Sequence, residues 1–137
     1  RHMTFKLTLN EAKYKVEVDG FGVFTVRPLG AGEELEMARL QREISKNASR
    51  AQHIKDEIVK EGLTKEEVDA LVSEADELSQ KIFENQVQLS NLFKSQISSE
   101  KKGAVEKLFK TVQASEIVKL INKTIEYGRS AETNQEA

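Results

Sequence analysis

Apolar and polar residues alternate along the first part of the chain. Phe5, Leu7 and Leu9 are separated by Lys6 and Thr8, and Tyr14, Val16 and Val18 by Lys15 and Glu17. A period of two belongs to strands that bury one face. Asp19-Gly20-Phe21-Gly22 has turn chemistry, because glycine adopts positive φ without steric cost. Val23 to Val26 reads as the return strand, and Pro28 marks its end, since proline has no N–H for a ladder. The pattern predicts a small antiparallel β-meander of two or three strands over residues 4–28. A sheet of that size needs helices on its apolar face.

After Gly30-Ala31-Gly32, read as a connector, the period changes. Met37, Leu40, Ile44, Ala48, Ala51, Ile54 and Ile58 recur every three or four residues, the stripe of an amphipathic helix. Glu33, Glu34 and Glu36 suit the positive end of its dipole, and Gly62 is placed to close it. This helix is expected over 33–61, about 40 Å long at 1.5 Å per residue. Thr64-Lys65-Glu66-Glu67 has the form of a capping box for the next helix. Its stripe is Val68, Leu71, Ala75, Leu78, Ile82, Leu89, Leu92 and Phe93, and it is expected over 65–97. The short link forces the two into a long antiparallel helical hairpin. Asn47 and Asn85 interrupt the stripes. Each either faces water or lies in the seam, where a polar residue fixes register at a cost in stability.

Ser98-Ser99 breaks the pattern. Two shorter helices follow: one over 101–112 with Val105, Leu108, Phe109 and Val112 on one face, and one over 116–127 with Ile117, Leu120, Ile121 and Ile125. Ser115 is the expected cap of the last helix and Gly128 its stop. Residues 129–137 contain no apolar residue larger than alanine and are expected to be unstructured. The expected class is α+β, mostly α, with a single domain over 4–128. Arg1-His2-Met3 reads as an expression scar, with Met3 the expected native start.

The chain of 137 residues has 32% charged and 6% aromatic residues, no Trp and one Pro, a composition rich in helix formers. With no cysteine, disulfides, thiolate catalysis and cysteine zinc sites are excluded. The net charge of −2 gives no general attraction to nucleic acid or anionic lipid. Residues 101–129 are basic, with seven Lys/Arg against three Asp/Glu. No apolar run reaches the ~20 residues that span a bilayer, and no signal peptide is visible. A cytoplasmic setting without membrane insertion is the expectation.

Catalytic chemistry is hard to find. A nucleophile needs a base, and beyond His2 of the scar the chain offers only His53, beside the stripe and expected in water. One histidine cannot build a metal site. Glu66-Glu67 and Asp76-Glu77 read as solvated helix surface, because acid–base pairs need burial or a polarising partner to separate their pKa values. The Gly20 to Gly32 glycines lack the Gly-Lys-Ser/Thr that a phosphate loop requires. The reading is of a protein with no enzymatic activity, cofactor or metal, acting by binding other proteins. Two long amphipathic helices carry more apolar surface than a small sheet and two short helices cover. The candidate partner-binding residues are Ile54, Ile58, Leu63, Val68 and Leu71 at the far end, and Leu89, Leu92 and Phe93 at the near end.

The order of elements resembles the tail assembly chaperones of phages with long, flexible, non-contractile tails. The likeness rests on three stretches. Val23-Phe24-Thr25-Val26-Arg27-Pro28-Leu29-Gly30 leads into the acidic start Glu33-Glu34-Leu35-Glu36. A long charged helical middle follows. Then Leu108-Phe109-Lys110 and Ser115-Glu116-Ile117-Val118-Lys119-Leu120-Ile121-Asn122-Lys123-Thr124-Ile125 look like that family's helix pair near the C-terminus. The resemblance implies a chaperone that holds the tape-measure protein soluble and recruits tail-tube subunits around it, in the host cytoplasm during virion assembly. Two other readings compete. Hairpins could self-associate into a homo-oligomer with a structural or adaptor role. A nucleic-acid-binding regulator would use Lys101, Lys102, Lys107, Lys110, Lys119, Lys123 and Arg129; the expectation is of no nucleic-acid partner.

Overall fold

The computed structural model describes residues 13–136; the expected alternation of Phe5, Leu7 and Leu9 lies outside them. Over the described residues the chain is mostly helical, with a three-stranded antiparallel sheet, two long helices and two shorter ones. It divides into two compact units where the sequence reading has one domain. The first is Arg1–Leu29 with Phe93–Ala137, the second Gly30–Leu92. The reason is that each buries its apolar residues on itself.

In the first unit, β1 (Tyr14–Val18) pairs antiparallel with β2 (Gly22–Val26), Tyr14 opposite Val26 and Val18 opposite Gly22. The turn is closed by the Phe21 N–H, which donates to the Val18 carbonyl at 2.9 Å. Gly20 and Gly22 take φ of +85° and +107°, which larger residues resist. The third strand, β3 (Ile97–Ser98), comes from far along the chain and pairs with β2, Val26 opposite Ile97. It follows directly on the second long helix, which ends at Gln96, so Ile97, expected inside the helix, and Ser98, expected as a break, are ladder rungs. Arg27 and Gln96 clasp this join. The Arg27 N–H donates to the Gln96 carbonyl at 2.8 Å, and Gln96 Nε2 donates to the Arg27 carbonyl at 3.1 Å. Gln96 is thus buried with its amide satisfied.

Phe24 and Val26 are wholly buried and pack with Ile97, Leu108, Ile117 and Ile121. Leu108 belongs to α3 (Ala104–Thr111) and the two isoleucines to α4 (Ala114–Glu136). Three sequence expectations change here. α3 begins at Ala104 and not at 101, because Gly103 takes φ of +80° and turns the chain before the helix can start. α4 begins before Ser115. The Glu116 and Ile117 amides both donate to the Gln113 carbonyl, at 3.0 and 3.1 Å, so Ser115 lies inside the first turn and is not the cap. Finally, Gly128 does not stop α4, which runs helical to Glu136 through the stretch expected to be unstructured. A Cβ at Gly128 would collide with the Tyr14 ring. The glycine permits close packing of helix on strand.

The second unit contains α1 (Ala31–Ile58) and most of α2 (Lys65–Gln96). α1 starts two residues early because Glu33 reaches back, its Oε1 accepting from the Gly30 N–H at 2.9 Å. It ends three residues early, leaving Gly62, at φ +91°, in the turn and not on the helix end. Thr64 caps α2 as expected, its Oγ1 accepting from the Glu67 N–H at 3.1 Å. The Glu67 carboxylate takes the Thr64 hydroxyl, at 3.2 Å. Pairing is by heptads. The inward row of α1 is Met37, Leu40, Ile44, Asn47, Ala51, Ile54 and Ile58. That of α2 is Val68, Leu71, Ala75, Leu78, Ile82, Asn85, Leu89 and Leu92. Steps alternate strictly between three and four, the repeat of a two-helix coiled coil. Ala48, assigned to the stripe from sequence, is exposed, and Asn47 takes the inward place.

Candidate partner-binding surface

The residues named from sequence fall mainly in the hairpin seam. Ile54 is 1% exposed. Ile58, Leu63, Val68, Leu71, Leu89 and Leu92 are half-buried. Phe93, at the end of α2, packs against the core of the sheet unit. The structure therefore brings most of these side chains together as the contact between α1 and α2. They are not an open face.

One ion pair fixes the hairpin's register. Arg50 of α1 grips Glu74 of α2 through two hydrogen bonds, Nε to Oε2 at 2.7 Å and Nη2 to Oε1 at 2.9 Å. A second carboxylate, Glu57, lies 3.6 Å from the same guanidinium. The paired hydrogen bonds favour the charged form of both groups, so the Glu74 carboxyl is held below its ordinary value and Arg50 above. Both side chains are partly exposed, and solvent screening keeps the pair's net contribution small. Its planar two-point geometry fixes orientation more than it adds stability.

Asn47 lies one turn from Arg50 in the same seam and is 7% exposed. Its Nδ2 has no hydrogen-bond partner among the described residues. A buried donor left unmade costs about 1–3 kcal/mol. The seam tolerates that cost, and a polar residue there disfavours slipped or alternative pairings of the two stripes.

Sequence reasoning missed the apolar side chains that do face solvent. At the hairpin tip Val59 is 80% exposed and Val72 45%. Half-buried Ile58 and Leu63 flank the turn that holds Val59, and Val72 lies farther along α2, one helical turn beyond Val68. Lys60, Glu61, Lys65, Glu66 and Asp69 in the same stretch are charged and exposed. Farther along α2, Phe83 and Val87 are 60% and 43% exposed. Their signal was present in the sequence. Four residues apart, they share a face but fall outside the three-and-four rhythm of the seam.

His53 is exposed, as expected. No group of three or more metal-binding side chains is found among the described residues, and none of their helices is long and apolar enough to cross a membrane. Part of the basic charge is engaged within the first unit. Lys107 Nζ lies 5.4 Å from the centre of the Phe21 ring, Lys94 Nζ 5.4 Å from that of Phe109, and Lys119 is 3.6 Å from Glu116. Comparison of the chain with protein-family models, with curated proteins and with solved structures finds no match.

Proposed function

We propose that this protein is a non-catalytic assembly factor that binds helical client proteins through the tip of its α1–α2 hairpin. The observation that carries the reading is apolar exposure at and near the tip: Val59 is exposed in the turn between half-buried Ile58 and Leu63, and Val72 is exposed farther along α2, among charged, exposed neighbours. A small apolar centre with a charged border suits reversible docking, since larger apolar area favours permanent association. An amphipathic client helix is the natural occupant of such a patch.

The resemblance to tail assembly chaperones gives this reading its specific form. The client would be the tape-measure protein of a long non-contractile phage tail, with tail-tube subunits as the recruits, in the host cytoplasm. A tape-measure protein is long, helical and exposed until the tube surrounds it. A chaperone for it needs an apolar helical surface and timely release, and no chemistry of its own.

The test is co-expression with whatever tape-measure and tail-tube proteins the genes neighbouring this chain's own encode, followed by affinity capture. Capture of the tape-measure protein, lost on Val59→Glu with Val72→Glu, is the expected result. Recovery of neither protein removes the chaperone reading. Capture that persists in the double variant removes the tip as the docking surface.

A further inference from the structure

The face of α2 that points away from the seam carries a second pattern. At steps of four, three, four, three and four residues it presents Asp76, Gln80, Phe83, Val87, Ser90 and Lys94. Ser90 is half-buried and the others are exposed, with the Lys94 ammonium lying over the Phe109 ring. Residues at these spacings form one stripe along a helix. The order is acidic, polar, apolar, then apolar, polar, basic, and the spacing reads the same in both directions about residue 85.

A stripe of that kind is complementary to itself. We propose that a second copy of this chain docks on it, the two α2 helices crossing antiparallel about a two-fold axis near residue 85. In a two-fold contact residue i meets residue j of the other copy and j meets i. Phe83 then packs on Val87 of the second copy, Gln80 meets Ser90, and Asp76 meets Lys94. Every contact occurs twice. The apolar pair lies at the centre and the ion pair at each end, the arrangement of interfaces with an apolar core and a polar rim.

The charge distribution along α2 supports this occupant. The helix is dense in charge from Lys65 to Glu84, then has none from Asn85 to Phe93. Depletion of charge at the centre marks the core of an interface. The partner's identity follows from the ends of the stripe. An unrelated partner needs only one sign of charge, or none. Opposite charges set at equal distances from the apolar centre match the same surface turned around. The stripe does not include the tip residues Val59 and Val72, so self-pairing and client docking can succeed or fail separately.

Sedimentation of the full chain over a range of concentration is the test. The wild type is expected to shift from monomer to dimer as concentration rises. Phe83→Glu, at a position 60% exposed, is expected to leave a monomer with unchanged far-ultraviolet circular dichroism. Asp76→Lys and Lys94→Asp each set like charges against each other at two places, and each is expected to raise the dimer dissociation constant by about tenfold or more. Combined, they restore opposite pairs and bring the constant back towards wild type. Because the chain has no cysteine, Gln80→Cys with Ser90→Cys gives a further check, closing a disulfide-linked dimer on oxidation while neither single change does. A chain that stays monomeric at every concentration overturns the proposal. So does a dimer indifferent to Phe83→Glu, or a charge exchange that fails to rescue the single reversals.

Discussion

Gly128 is where one missing carbon decides the packing of a helix. In an exposed helix interior, glycine to alanine gains about 1 kcal/mol, because glycine loses the most backbone freedom on folding. Here the Tyr14 ring of β1 occupies the space the methyl group would need, and its inner ring atoms cannot swing clear without moving the strand. Gly128→Ala is therefore expected to destabilise the protein by about 1–3 kcal/mol, the usual cost of overpacking. In a Tyr14→Ala background the same change reverses sign and stabilises. Chemical denaturation of the four proteins in this cycle measures both effects, and a stabilising Gly128→Ala in the Tyr14 background would contradict the contact. The sequence shows a glycine after an apolar helical stretch, which by local rules is a stop. Only the strand laid against it, more than a hundred residues earlier, turns the stop into a packing site. Asn47 teaches the same lesson from the other side. Local spacing offered both Asn47 and Ala48 for the seam, and polarity favoured Ala48. The strict heptad, visible once α2 is paired with α1, selects Asn47.

At the scale of elements, the two long helices were legible because their apolar residues repeat over many turns and Thr64 and Glu67 mark the fold-back. Their outer face was not, since Phe83 and Val87 look like stray members of the stripe until the seam is known. What the periodicity does not reveal is the register of one helix against the other, and there the Arg50–Glu74 grip has a consequence for pH. Folding lowers the Glu74 pKa from its ordinary carboxylate value through hydrogen bonds to Arg50. A group with a depressed folded pKa contributes stability above its unfolded value, about 4.3 for glutamate, and loses that contribution as pH falls through the folded one. Glu74→Gln removes this dependence. The stability difference between wild type and Glu74→Gln is expected to be largest at neutral pH and to shrink on acidification below the ordinary carboxylate range. Thermal unfolding of both proteins across that range measures it. A difference that does not change with pH would show that the pair is not formed in solution.

For the whole molecule, the two compact units have separate apolar centres. The sheet unit is built on Phe24, Val26, Ile97, Leu108, Ile117 and Ile121. The hairpin unit buries Leu40, Ile54 and Leu78 in a seam of its own. Sequence order hides this division. β3 arrives some seventy residues after β2, and alternation cannot announce a two-residue strand that borrows its ladder from the far end of the chain. The same non-local closure places the hairpin as an insertion between the parts of the sheet unit. Separate centres imply separate opening. Phe24→Ala deletes a wholly buried ring and is expected to cost about 3–5 kcal/mol, but the lost contacts all belong to one unit. Amides of β1, β2, α3 and α4 should then exchange with deuterium faster. Those in the hairpin between Leu40 and Leu78 should keep their wild-type rates, because regions open in cooperative groups that share contacts. Exchange read by mass spectrometry on peptides from each unit distinguishes the cases. If hairpin peptides accelerate together with the sheet, the two centres open as one, and the division drawn from packing does not hold for stability.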